Sequence, residues 1–264
     1  YAMFMAYATS LRSADLSRQI GVVITKNNEI ISEGTNDCPK SFGGLYWPEI
    51  CRDGSIQDIP SGRDYTLGYD SNKRSQLEII HAILDNLKIE DSPDNIKAIK
   101  KAGIGNLTEY GRVVHAEMEA LMMCARNNIS CKDGIMYATT FPCHNCAKHI
   151  IASGVKEVIY IEPYPKSKAL EFYINEITQD ETEKDKKVLF RPFMGVGPHR
   201  FVELFSVTSI QNYAKIRKDD EGNKKSWERG EANLRSPLAL MNYLDYEKGA
   251  YTFYCDAIER LKEE

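Results

Sequence analysis

Three soft metal ligands and one carboxylate set the tightest limit on how this chain can fold. His115, Glu117, Cys143 and Cys146 all lie between Val113 and Ile151. The cysteines are spaced Cys-x-x-Cys directly after Pro142, and 24 residues separate Glu117 from Pro142. Zinc takes thiolate and imidazole in a tetrahedral shell. At a helix start both sulfurs can point to one side, and the exposed amides there favour thiolate over thiol. His115 falls at or near the start of the preceding helix. The three groups converge only if the two helices are neighbours across a strand at 134–140. Three protein ligands leave a fourth position for water, which is the arrangement of a catalytic site.

Glu117 decides between a structural and a catalytic ion. It sits two residues past His115, within reach of a water acidified by zinc. A carboxylate there can accept a proton and return it to a leaving amine, the service that hydrolytic deamination needs. Other uses of the same residues stay open. A Cys-x-x-Cys alone serves as a redox pair or as half a structural zinc site. Cys124 and Cys131 fit poorly as the other half, one on a helix and one in a loop. His144 reads as a surface residue, His149 as a helix-face residue, Glu119 as an ordinary helix acid, and Met118, Met122 and Met123 as core filler.

The rest of the chain supplies the frame. Residues 2–12 are apolar enough for a buried helix, packed on a sheet or on a partner subunit. Val22–Thr25 and Ile30–Ile31 flank Asn27-Asn28 as a hairpin. Residues 42–110 read as an insertion. Within it, Leu77, Ile80, Ile83, Leu84 and Leu87 have helical spacing, with Ser75 as the expected cap. A second helix is expected from Ser92-Pro93 to Gly103. Further helices are expected over Val114–Asn127, from Pro142 as first helical residue to Ser153, and over 167–177. Strands are expected at 134–140 and 156–163, and one or two late strands over 188–193 and 199–207. A charged loop follows at 217–231, and a terminal helix at 246–263. The alternation predicts an α/β fold with helices on both faces of a sheet.

Composition narrows the class. The 264 residues suit one enlarged domain or two small ones. A formal net charge of -4 argues against a long nucleic-acid partner, which wants a basic face. No apolar run spans a bilayer, and the first residues lack a basic stretch ahead of an apolar one, so no secretory leader is expected. Without an initiator Met, the chain reads as processed or cut from something longer. Seven cysteines in no scaffold spacing imply reduced thiols and a cytoplasmic home.

His115-Ala116-Glu117 with Pro142-Cys143-His144-Asn145-Cys146 resembles the signature of the zinc-dependent cytidine and deoxycytidylate deaminase superfamily. "RSADLSRQIGVVITKNNEIISEGTN" and "FPCHNCAKHIIASGVKEVIYIEPY" are similar to the opening and the zinc helix of deoxycytidylate deaminases. The resemblance covers about 2–40 and 111–205. "YAMFMAYATSLRSADLSRQIG", "EYGRVVHAEMEA" and "EPYPKSKALE" look like the deaminase half of bacterial anti-phage dCTP deaminases. In those proteins the half follows a P-loop kinase-like domain, and this chain has no Walker-type glycine loop.

The resemblance implies a three-layer fold with a mixed five-stranded sheet, one deaminase domain over 1–264, the insertion at about 42–110 and a C-terminal extension at about 206–264. It implies a zinc ion on His115, Cys143 and Cys146, with Glu117 as the proton carrier of catalysis. The Ala116 amide would hold the pyrimidine O2, the 139–141 backbone the exocyclic amine, and Asn36 a sugar hydroxyl. Tyr164, Lys166, Lys40 and Arg112 are the implied phosphate contacts. The expected reaction is deamination of free dCTP, or of dCMP, draining dCTP in anti-phage defence. The alternatives are dCMP deamination for thymidylate supply and a non-catalytic nucleotide-sensing zinc module. A homo-oligomer is expected; the chain either has a P-loop kinase-like domain upstream in a longer protein or never had that domain.

Overall fold

A computed structural model of the chain describes residues 1–207, 216–226 and 243–263. The described chain divides into two compact units, Tyr1–Pro198 and His199–Glu264.

The first unit opens with helix α1 (Ala2–Ser10), then the hairpin β1 (Gly21–Lys26) and β2 (Glu29–Thr35). Asn27 and Asn28 make its turn with φ of 53° and 65°, the left-handed pair that two-residue hairpins need and that Asn tolerates. Residues 42–110 hold a small hairpin, β3 (Glu49–Ile50) and β4 (Ile56–Gln57), then α2 (Asp64–Leu67), α3 (Ser71–Leu87), α4 (Pro93–Lys101) and a 3-10 turn, Ile104–Asn106. Next come α5 (Ala116–Arg126), β5 (Ile135–Thr140), α6 (His144–Ser153), β6 (Glu157–Glu162), α7 (Ala169–Phe172), β7 (Ile177–Thr178) and β8 (Val188–Pro192). The second unit contains most of α8 (Pro198–Phe205) and all of α9 (Tyr243–Glu263). Among the described residues no helix is long and apolar enough to cross a membrane.

The sheet is mixed, in the order β2-β1-β5-β6-β8-β7. β1 runs antiparallel to β2 and β5, and β5, β6, β8 and β7 run parallel. Its sixth strand, beyond the five expected, is the two-residue β7. Strand alternation sorts the core. Val22, Ile24, Met136, Ala138, Val158 and Phe190 join the cluster under α5 and α6. Val23 and Ile159 face the other way, onto Met3 and Ala6 of α1. β1 is buried on both faces and reads as a continuous apolar run.

Several expectations change. α3 starts before Ser75, because the Asp70 carboxylate accepts the Lys73 amide at 2.9 Å and caps it there. Its first turn is polar, so the apolar period starts late. The helix expected over 167–177 is four residues long; the chain then turns to bury Ile177 in β7 beside Val188, while Ile174 stays exposed. The expected strand 199–207 is instead α8, where Phe201 and Phe205, four residues apart, stack at 4.6 Å. α4 begins where expected, with Ser92 as its cap. The charged loop lies in part outside the described residues, and Lys218 bridges Lys224 within it.

Candidate active site

The histidine is delivered by the contact of α5 with β2. A Cβ built on Gly34 of β2 would meet the Ala116 carbonyl oxygen at 2.1 Å and the Ala120 nitrogen at 2.5 Å. Glycine is therefore required for α5 to lie this close. His115 caps α5 in an extended conformation, so its ring leaves the helix end. Its neighbour Val114 donates its amide to the Asp37 carbonyl at 2.9 Å, which ties this entry to the loop after β2.

The cysteines come from the start of α6. Cys143, rather than Pro142, opens the helix: it is the cap, and its sulfur accepts the Cys146 amide at 3.4 Å. Pro142 lies just outside. Gly154 closes α6 with φ of 82°, the left-handed stop that favours glycine. Nδ1 of His115 lies 3.4 Å from Cys143 Sγ and 3.3 Å from Cys146 Sγ. The three ligand atoms lie within 4.8 Å of one another. Zinc bonds of about 2.0 Å to nitrogen and 2.3 Å to sulfur at tetrahedral angles set an N···S edge of roughly 3.5 Å. The donor set fits that ion in chemistry and in spacing. Among the described residues His144, His149, Cys124 and Cys131 are not part of the group.

The electrostatics follow from crowding these groups together. The Cys146 thiol donates to Cys143, and with His115 it pulls the Cys143 thiol down to about 4 against the effect of burial. Cys146 is pushed well up by that same bond, by burial and by Glu117. His115 is raised to about 9, mainly by its bond to Cys143, while burial opposes this. Glu117 is only 4% exposed, and burial raises its pKa while His115 opposes. A carboxyl so placed holds a proton more readily than one in water.

His115, Glu117 and Cys143 line a cleft of about 280 Å³. Asn36, Tyr164 and Lys166 line it too, as does Thr140 at the end of β5. Asn36 accepts the Ile20 amide at 2.7 Å and donates to the Arg18 carbonyl at 2.8 Å. One of its N–H groups and one lone pair remain for a ligand. Ala116 is fully buried at the first turn of α5. Neither Lys40 nor Arg112 reaches this cleft. Lys40 lines a second cleft with Arg12 and Arg126, beside the turn at Gly43 and Gly44. Arg112 is held by Asp64 and by the Ser61 and Gly62 carbonyls. Glu119 pairs with Arg126 at 2.5 Å, an ordinary helix acid.

Other lining residues carry no mark in the sequence. Arg18 comes from the loop before β1, and Asn72, Lys73 and Gln76 from α3. Arg18 falls inside a segment already singled out for its resemblance, which is the one signal that could have found it. The α3 residues needed the path of the chain over 42–110.

The family model of the cytidine and deoxycytidylate deaminase zinc-binding region matches residues 1–162. The deoxycytidylate deaminase of Enterobacteria phage T4 is 34% identical over 170 residues, 62% of this chain and 77% of that protein. The deoxycytidylate deaminase of Homo sapiens is 46% identical over 54 residues, 20% of this chain and 29% of that one. The dCMP deaminase of the cyanophage S-TIM5, solved in apo form, aligns over 73% of this chain and 94% of that one, at 18% identity and a TM-score of 0.39.

Proposed function

The chain belongs to the cytidine and deoxycytidylate deaminase zinc-binding family, and from that premise we propose that it hydrolyses the C4 amino group of a free deoxycytidine nucleotide, releasing ammonia and a deoxyuridine nucleotide. The observation that carries the reading is a buried acid, Glu117, lining the same cleft as His115 and Cys143 of the ligand set. A module that only bound nucleotides would have no use for a buried carboxylate there.

In this reading His115, Cys143 and Cys146 hold zinc, which when bound supplies Lewis acidity and makes water a nucleophile near neutral pH. Glu117 takes a proton from the attacking water and places it on N3 of the ring. Its carboxyl then carries the second water proton to the C4 nitrogen, which leaves as ammonia as the C4 carbonyl forms. Burial suits it to the task, because a raised pKa lets it hold the proton between the two transfers. The Ala116 amide, at a helix start with no partner in its own helix, holds O2. Asn36 meets a sugar hydroxyl with its remaining donor and acceptor. Tyr164 and Lys166 stand for the phosphate.

The names of the phage T4 and human relatives favour dCMP as substrate. A second reading is dCTP, with drainage of its pool in phage defence. It is supported by Arg18, Lys73 and Lys166 on the cleft lining, since a triphosphate draws on more cations than a monophosphate. Mass spectrometry of the full chain with dCMP, dCTP and CMP separates these readings. Conversion of an amine to a carbonyl in one of the deoxynucleotides is expected, and no conversion in any rejects deamination. Glu117→Gln is expected to lower kcat by about 10²–10⁴-fold while metal analysis still finds zinc. Self-association is part of the same proposal, and light scattering of the purified chain checks it.

A further inference from the structure

We infer that Lys73 of the inserted helix α3 and Arg18 of the loop before β1 together grip the substrate's phosphate, so that the insertion forms a specificity wall of the cleft. This rests on the deaminase reading above.

The cleft lining carries acids as well as cations, and of these only the acid Asp64 enters an ion pair among the described residues. Asp15 accepts the Ser17 and Arg18 amides, each at 2.8 Å. Asp70 accepts the Lys73 amide at 2.9 Å and the Ser17 hydroxyl at 3.2 Å. Asp64 takes Arg112 at 3.2 Å and the Cys38 thiol at 3.7 Å. Among the described residues Arg18, Lys73 and Lys166 enter no ion pair. Arg18 lies over the Tyr164 ring at 5.1 Å, and the Lys73 ammonium donates to the Gln76 side-chain oxygen at 3.4 Å. Three cations that enter no ion pair therefore share the lining with carboxylates that other groups hold in place. A phosphate ester carries about −1.5 to −2 charges and strong acceptor oxygens, which such cations complement.

The two cations are also mechanically joined. The Ser17–Asp70 hydrogen bond links the loop of Arg18 to the cap of α3, one turn before Lys73. Behind them Asn72 and Gln76 donate to the Leu107 carbonyl at 2.8 and 2.6 Å, which fixes α3 against the chain leading to His115. The Arg18 carbonyl accepts Asn36, so the phosphate grip and the sugar contact share one loop. Lys166 comes from a third element, after β6.

Steady-state kinetics of the full chain test this with Lys73→Ala, Arg18→Ala and the conservative Lys73→Arg. KM for the deoxycytidine nucleotide it deaminates is expected to rise about 10–100-fold in each alanine variant. At saturation kcat is expected to stay within about threefold, and Lys73→Arg to recover most of the loss. A fall in kcat with KM unchanged, or no change in either, overturns the inference. Calorimetric titration with pyrophosphate probes the same grip without turnover. Weaker binding in both alanine variants supports it; binding absent from the wild type, or equal in all forms, overturns it. If the wild type deaminates no deoxycytidine nucleotide, the functional reading fails by itself, and the pyrophosphate titration decides the anion site.

Discussion

Nδ1 of His115 faces two sulfurs at 3.3–3.4 Å, and that closeness governs how protons and metal compete. With Cys143 near 4, its sulfur is already a thiolate at neutral pH. His115, raised to about 9, still holds its proton, and so does Cys146, whose thiol is pushed well up. Zinc uptake at pH 7 must displace both, one from His115 and one from Cys146, so about two protons leave per ion. Calorimetry in buffers of different ionisation enthalpy measures that number; none released would contradict the ligand set. Zinc affinity is expected to weaken as pH falls, and more steeply below about 9, where His115 also takes up its proton. At this scale the metal group was legible, because ligand type and spacing are local and a helix start dictates where two such sulfurs point. Lys40 and Arg112 were not. Each is a cation on a loop, and whether it meets the cleft depends on turns and carboxylates far away in sequence.

Elements explain how the ligands are brought into register. α5 rests on β2 through a glycine because no side chain fits between Gly34 and Ala116. Gly34→Ala is expected to push α5 away, with a loss of about 1–3 kcal/mol from overpacking and a weaker grip on zinc. Denaturant unfolding and zinc content per chain check both; a variant with native stability and full zinc would show that α5 tolerates the shift. The hairpin β1–β2 and helices α4, α5 and α6 were readable from turn residues, caps and stops. α7 and α8 were not. Apolar residues at 170–177 and 201–207 satisfy more than one period, and burial of Ile177 in the sheet decides the first case.

At the scale of the molecule, the segment 42–110 is locked to the site by buried charge. Arg63, next to α2, pairs with Asp37 at 3.2 Å and with Asp58, all three largely buried. Asp37 is one residue past Asn36 and holds Val114 beside His115. Arg63→Ala leaves two carboxylates without their partner and is expected to cost about 3–5 kcal/mol, measured by chemical denaturation; Arg63→Lys is expected to recover part. All ligands and all cleft residues named above lie in Tyr1–Pro198. A chain ended at Pro198 is therefore expected to bind zinc and to keep deaminase activity, checked by metal analysis and ammonia release. Loss of zinc on truncation would assign the second unit a part in the site. The sequence alone determined the ligand chemistry, the acid beside it and the sheet-and-helix frame, since these rest on residue type, short spacing and period. Which cations face the cleft, and that α3 lines it, was decided only by tertiary structure, because those contacts join segments whose separation along the chain carries no periodic or spacing signal.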